Sequence, residues 1–188
     1  MYQAHFGLRE APFGLTPDTS FFFNGPQSQK ALNTLLVAAR NGEGFIKITG
    51  EVGTGKTFLC RKFMQSLGPD FVTAYIPNPN LPPRSLILAL ADDLDVLLEK
   101  DADQHQLLKS LNLRLLNLAA QGRRVLLCLD EAQAIPVDSL EALRLLTNLE
   151  TEKRKLLQIV LFGQPELDVK LALPEIRQLT QRITFHYH

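Results

Sequence analysis

Eight consecutive residues, Gly50-Glu51-Val52-Gly53-Thr54-Gly55-Lys56-Thr57, have the spacing of a phosphate-binding loop: a glycine, four residues, then Gly-Lys-Thr. Each type has a chemical reason. Glycines let the backbone wrap an anion with its N–H groups turned inward. Lys56 supplies a point charge for the outer phosphates, and the Thr57 hydroxyl is a ligand for Mg²⁺. Phe58 follows as the first apolar residue of a helical pattern, so the positive end of that helix faces the same anion.

Two carboxylates supply the second half of the chemistry. Val125-Leu126-Leu127-Cys128-Leu129-Asp130-Glu131 is an apolar strand that ends in Asp130 and Glu131. In an open α/β sheet, ligands sit at the carboxyl ends of strands, which sets this pair beside the phosphate loop. Asp130 suits the Mg²⁺ ion of a bound nucleotide. Glu131, one residue further on, suits orienting and deprotonating an attacking water. Gln164, at the end of Leu161-Phe162-Gly163-Gln164, is either a sensor that bonds the water and the γ-phosphate or a cap for the next helix. Arg182 and Arg177 are candidates for a cation lent to a neighbouring subunit's γ-phosphate. Surface arginines are more ordinarily solvated or paired locally. His5, His105, His186 and His188 lack metal-binding spacing.

Composition bounds the rest. The chain has 188 residues, 20 Lys+Arg against 20 Asp+Glu, and 45% apolar residues. That is enough apolar surface to exclude disorder as the dominant state. The neutral total argues against a basic nucleic-acid wrapper. No apolar run approaches the ~20 residues of a membrane span, and the start has no signal-peptide pattern. Cys60 and Cys128 read as buried, reduced thiols of a cytoplasmic protein.

The elements that must position these groups follow in regular order. An irregular arm occupies residues 1–25, and the core runs over 26–188. Helix is expected over Gln27–Arg40, Lys56–Leu67, Pro83–Glu99, Asp103–Gln121 and Asp138–Leu149, with short pieces over Glu166–Gln181. Leu86, Leu90, Leu94 and Leu97 form the apolar stripe of the third of these. Strands are expected over Gly44–Thr49, Phe71–Ile76, Val125–Leu129, Leu156–Phe162 and Ile183–Tyr187. Alternation of this kind means an α/β sheet with right-handed crossovers.

With these residues in place, the chain resembles the AAA+ ATPases of the general secretion pathway protein A type. The likeness runs through Phe6-Gly7-Leu8-Arg9-Glu10-Ala11-Pro12-Phe13, Thr16-Pro17-Asp18, the phosphate loop, Leu129-Asp130-Glu131-Ala132-Gln133, Gly163-Gln164-Pro165-Glu166-Leu167 and Gln178-Leu179-Thr180-Gln181-Arg182-Ile183. Its extended start is most similar to the branch that serves the mannose-sensitive haemagglutinin (MSHA) pilus. The resemblance implies a three-layer αβα P-loop NTPase core with a parallel five-stranded sheet of order 5-1-4-3-2. It also implies ATP and Mg²⁺ as ligands, Phe6 and Phe13 bordering the adenine, a homo-oligomer, and pilus or secretion assembly proteins as partners. Members of the type carry a helical lid after the last strand; the chain ends at His188, so a core lacking its lid is expected.

The rival expectation is a nucleic-acid-associated AAA+ ATPase of the transposition or helicase-loading kind. It calls for a basic stripe, and Lys153-Arg154-Lys155, flanked by Glu150 and Glu152, reads instead as solvated surface. A nucleotide-dependent binding switch with negligible hydrolysis is a third expectation.

Overall fold

The structure, a computed structural model, describes residues 5–7, 25–98, 102–150 and 155–187. Most of the arm expected over 1–25, Phe13 included, lies outside the described residues.

The elements in chain order are α1 (Pro26–Asn41), β1 (Phe45–Thr49), α2 (Lys56–Ser66), β2 (Phe71–Ile76), α3 (Pro83–Asp93) and α4 (Gln104–Ala120). Then come β3 (Arg124–Leu129), α5 (Val137–Leu146), β4 (Leu157–Gly163), α6 (Glu166–Leu171), α7 (Arg177–Thr180) and β5 (Ile183–Tyr187). The five strands form one parallel sheet in the order β2-β3-β4-β1-β5. This is the implied order 5-1-4-3-2 read from the other edge.

Alternation along each strand divides the core in two, because successive side chains point to opposite faces. Val125, Leu127 and Leu129 of β3 join Leu157, Ile159 and Leu161 of β4 under α3, α4 and α5. Leu126 and Cys128 join Val160, Phe162, Ile46 and Ile48 under α1 and α2. With both faces covered, the central strands contain few polar residues.

Local signals set the helix ends. Pro26 starts α1, and Gly42 at φ 82° ends it, its N–H donating to the Ala39 carbonyl at 3.2 Å. Only a residue without Cβ takes that left-handed turn freely. Asp103 accepts from the Gln106 N–H at 2.8 Å while Gln106 Oε1 accepts from the Asp103 N–H at 2.8 Å, a reciprocal cap for α4.

Two helices are shorter than their patterns. α3 stops at Asp93, not Glu99, and Asp95 turns to φ 54°. At the helix end the Asp93 carboxylate accepts from the Tyr75 N–H at 2.7 Å, and the Leu94 carbonyl accepts from Arg114 Nε at 2.7 Å. Leu97 consequently leaves the stripe and is 95% exposed. α5 ends at Leu146 because Thr147 and Asn148 turn the chain, with Thr147 Oγ1 donating back to the Arg144 carbonyl at 2.8 Å.

Candidate nucleotide-binding and hydrolysis site

The loop Gly50–Thr57 joins the carboxyl end of β1 to the first turn of α2. Gly53 and Gly55 stand at φ 80° and 81°, angles at which a side chain would be strained. Thr54 Oγ1 donates to the Glu51 carbonyl at 2.8 Å, closing the turn. Lys56 Nζ donates to the Gly50 and Glu51 carbonyls, each at 2.8 Å, so its ammonium is held over the loop mouth. Among the described residues no side chain caps the start of α2 at Gly55, and the positive end of a helix attracts an anion.

A cavity of about 560 Å³ opens at this loop and continues along α1 to β5. Beyond the loop it is lined by Gln27, Ser28, Ala31, Phe58, Leu59 and Tyr187. Tyr187 O–H donates to the Gln27 carbonyl at 3.3 Å, tying β5 to α1 across the far wall. Phe6 is 69% exposed, packs edge-on against His5, and is not among the lining residues.

Asp130 leaves β3 with only 2% of its surface exposed. Tyr75 O–H donates to its Oδ2 at 3.3 Å, and the Glu131 N–H donates to its Oδ1 at 3.0 Å. Burial, and then the negative charge of Asp130, push the Tyr75 phenol up to about 12. Tyr75 therefore stays a donor near neutrality. Behind Asp130, Cys60 and Cys128 are buried free thiols; hydrogen bonding to the Cys128 thiol, ahead of burial, raises the Cys60 pKa. They form an inert floor, as their apolar contexts imply.

Glu131 turns to φ 50°, a left-handed conformation that a glutamate seldom takes. Its Oε2 accepts from Gln133 Nε2 at 2.5 Å and from Gln164 Nε2 at 3.2 Å. Gln133 Oε1 in turn accepts from the Gln164 backbone N–H at 3.0 Å. Lys170 Nζ on α6 donates to the Gln133 and Ile135 carbonyls, and its burial lowers its pKa. The strand tips bring these groups together, since Leu129 pairs with Leu161 and Thr49 with Gly163.

The residues expected to act from a distance lie elsewhere. Arg182 Nη1 donates to Asn148 Oδ1 at 2.6 Å, Thr147 Oγ1 at 3.3 Å and the Arg144 carbonyl at 3.4 Å, closing the end of α5. Arg177 is exposed at the start of α7.

Sequence reasoning assigned no role to Tyr75, Gln133 or Lys170. Gln133 was visible within Asp-Glu-Ala-Gln; the bonds of Tyr75 and Lys170 have no local sequence signal. The residues present fit a nucleoside triphosphate with Mg²⁺: a cradle of left-handed glycines, a buried carboxylate, and a hydroxyl at Thr57. Among the described residues no cluster of three or more His, Cys, Asp or Glu forms a metal cage. A Mg²⁺ ion held by one or two side chains plus phosphate oxygens needs none.

Comparison with known proteins agrees with this geometry. The AAA domain family matches residues 39–171. General secretion pathway protein A of Aeromonas hydrophila is 44% identical over 188 residues, all of this chain and 34% of that protein. The chain thus spans about a third of that relative's length. Among solved structures, the chain is similar to the ORC2 protein of Aeropyrum pernix, in ADPNP–ADP complexes, with a TM-score of 0.62 and 19% identity. That likeness covers 86% of this chain and 46% of the other. The ORC1 protein of the same organism, solved in complex with DNA, gives 0.60 at 20% identity over 85% of this chain and 43% of its own. At such identities the likeness concerns the fold alone.

Proposed function

From the premise that the chain belongs to the AAA domain family and is related to general secretion pathway protein A, we propose that it binds ATP with Mg²⁺ and hydrolyses it. In this reading the parent protein works as an oligomer that supports biogenesis of an MSHA-like type IV pilus or of type II secretion machinery. It does so in the cytoplasm, at the inner-membrane face. Among the described residues no helix is long and apolar enough to cross a membrane.

The observation that carries the hydrolytic reading is the shared hold on Glu131. The carboxylate of the candidate base accepts from the side chain of Gln164, the candidate sensor, at 3.2 Å across two strands. A base and a γ-phosphate sensor within one hydrogen bond of each other have a defined use in phosphoryl transfer.

The loop's N–H groups, the α2 N-terminus and Lys56 would hold the phosphates. Lys56 then exchanges its bonds to the Gly50 and Glu51 carbonyls for phosphate oxygens. Thr57 and Asp130 would hold Mg²⁺, which supplies neutralisation of charge on the β- and γ-phosphates. Tyr75 keeps Asp130 oriented by its O–H. Gln164 moves its amide toward the γ-phosphate, leaving Glu131 Oε2 to accept a proton from the attacking water. Gln27, Ala31 and Tyr187 border the base, with Phe6 and Phe13 as further candidates from the arm. Arg182, and less directly Arg177, would act on a neighbouring copy's γ-phosphate.

The test is ATP hydrolysis by the full-length parent measured against protein concentration. Specific activity that rises steeply supports a site completed between subunits. A flat, zero rate at every concentration would remove hydrolysis, while a flat positive rate would remove only the shared site.

A further inference from the structure

At the other end of the strands from the phosphate loop, where α1 stops and β3 and β4 begin, lies a cavity of about 370 Å³. Its lining includes Arg40, Asn41, Gly42, Arg124, Lys155 and Gln158 and, among the described residues, no carboxylate. Gln158 is the informative member. It is 3% exposed, and its Nε2 donates to the Ala39 and Glu43 carbonyls, both at 3.1 Å. Among the described residues its Oε1 is buried with no hydrogen-bond partner. Flipping the amide gives no relief, because the oxygen would then face two carbonyl oxygens. The two carbonyls claim both hydrogens, and the acceptor is left over.

Three cationic residues, Arg40, Arg124 and Lys155, line the same cavity. Arg124 is fixed from two sides: Nη1 donates to the Arg40 carbonyl at 2.6 Å, and the guanidinium lies 5.5 Å from the Phe71 ring centre. The Lys155 ammonium lies against Gly44, where an added Cβ would sit 2.8 Å from Nζ. Among the described residues none of the three makes a salt bridge. A helix C-terminus attracts cations, but the end of α1 carries only about half a negative charge. Its last carbonyls already accept from Gly42 N–H, Glu43 N–H and Arg124. Glu43 follows Gly42 in the chain, and the Asp70 carbonyl accepts from the Arg124 N–H at 2.7 Å, but neither residue lines the cavity. Glu150, bridged to Lys155 through the backbone, does not line the cavity either, so among the described lining residues the charged side chains are all cationic.

We propose that this cavity binds a phosphate group that keeps one P–OH, as inorganic hydrogen phosphate does. Its three other oxygens meet Arg40, Arg124 and Lys155, and its hydroxyl donates to Gln158 Oε1. The chemistry is selective: sulfate matches the size and charge but has no proton to give, and a nucleic-acid phosphodiester has none either. The site is independent of the nucleotide reading. Gln158 stands six residues before Gln164 on β4, about 20 Å away at the rise of a strand.

The test is calorimetric titration of the 188-residue chain carrying Lys56→Ala, which removes the loop's cation. Inorganic phosphate and sulfate are compared at equal ionic strength near neutral pH. In parallel, phosphatidylcholine vesicles are used with and without phosphatidic acid. Phosphate is expected to bind at least about tenfold more tightly than sulfate, the factor one unpaired buried acceptor costs. Lys155→Ala and Arg40→Ala are each expected to weaken binding about tenfold with an unchanged melting temperature. Binding of the free ion assigns the site to soluble phosphate; binding only of the phosphatidic acid vesicles assigns it to a headgroup. Equal affinity for phosphate and sulfate would overturn the proposal, as would indifference to Lys155→Ala. Tighter binding of a DNA oligonucleotide than of phosphate, or no heat in either arm, would do the same.

Discussion

The phosphate loop closes on itself. Thr54 bonds Glu51, and Lys56 bonds Gly50 and Glu51, all within six residues of chain. The Glu131 cluster is assembled from distant pieces. Gln164 reaches Glu131 across 33 positions, and Lys170 bonds the Gln133 carbonyl across 37. The loop's geometry therefore depends on its own glycines. Glu131's geometry depends on the β3–β4 register and on α6. Nucleotide binding and turnover are accordingly expected to fail separately, and substitutions that separate them are the way to probe the contrast.

The largest expected effect lies outside both regions. If Arg182 serves a neighbouring copy, Arg182→Ala lowers kcat of the oligomer by about 10³ and leaves nucleotide affinity intact. Because Arg182 also closes α5, Asn148→Ala is the control: it removes that local bond and is expected to leave turnover unchanged. Steady-state ATPase assays on both variants separate the two roles.

Within the loop, Lys56→Ala is expected to weaken ATP binding by about ten- to a hundredfold, the worth of charge-assisted bonds to phosphate. Fluorescent-nucleotide titration reads it directly. Retained affinity would contradict the assignment of Lys56. In the Glu131 cluster, Gln133→Ala removes one of the two donors on Oε2 and the acceptor of the Gln164 N–H. A fall of about tenfold in kcat with KM unchanged is expected, since a misplaced base affects the transition state only. A raised KM with normal kcat would place Gln133 on the binding side of the contrast.

The smallest effect tests whether the contrast is specific. Asp103→Ala removes the cap of α4, remote from both regions, and is expected to cost about 1 kcal/mol in denaturant unfolding. Binding and turnover by the folded fraction are expected to stay as they were.

The same contrast explains how far the sequence could be read. The loop was legible because eight adjacent residues state it, and Asp130-Glu131 because an apolar strand delivers them to its own tip. The cap at Asp103 and the turn at Gly42 were equally local. Leu97 was placed on the α3 stripe by periodicity, yet the claims on Asp93 and on the Leu94 carbonyl end the helix first. Neither claim has a sequence period. Sheet order came from resemblance, not from pattern. The cavity wall made by Gln27 and Tyr187 joins residues 160 positions apart, and only the folded sheet reveals it.

One measurement bears most directly on the division between binding and turnover: ATP binding and ATP hydrolysis by Glu131→Gln, compared with the unaltered protein in the same oligomeric preparation. The expected result is unchanged nucleotide affinity with hydrolysis lowered by at least about a hundredfold, the lower end of what a general base contributes. Hydrolysis at the unaltered rate would contradict it.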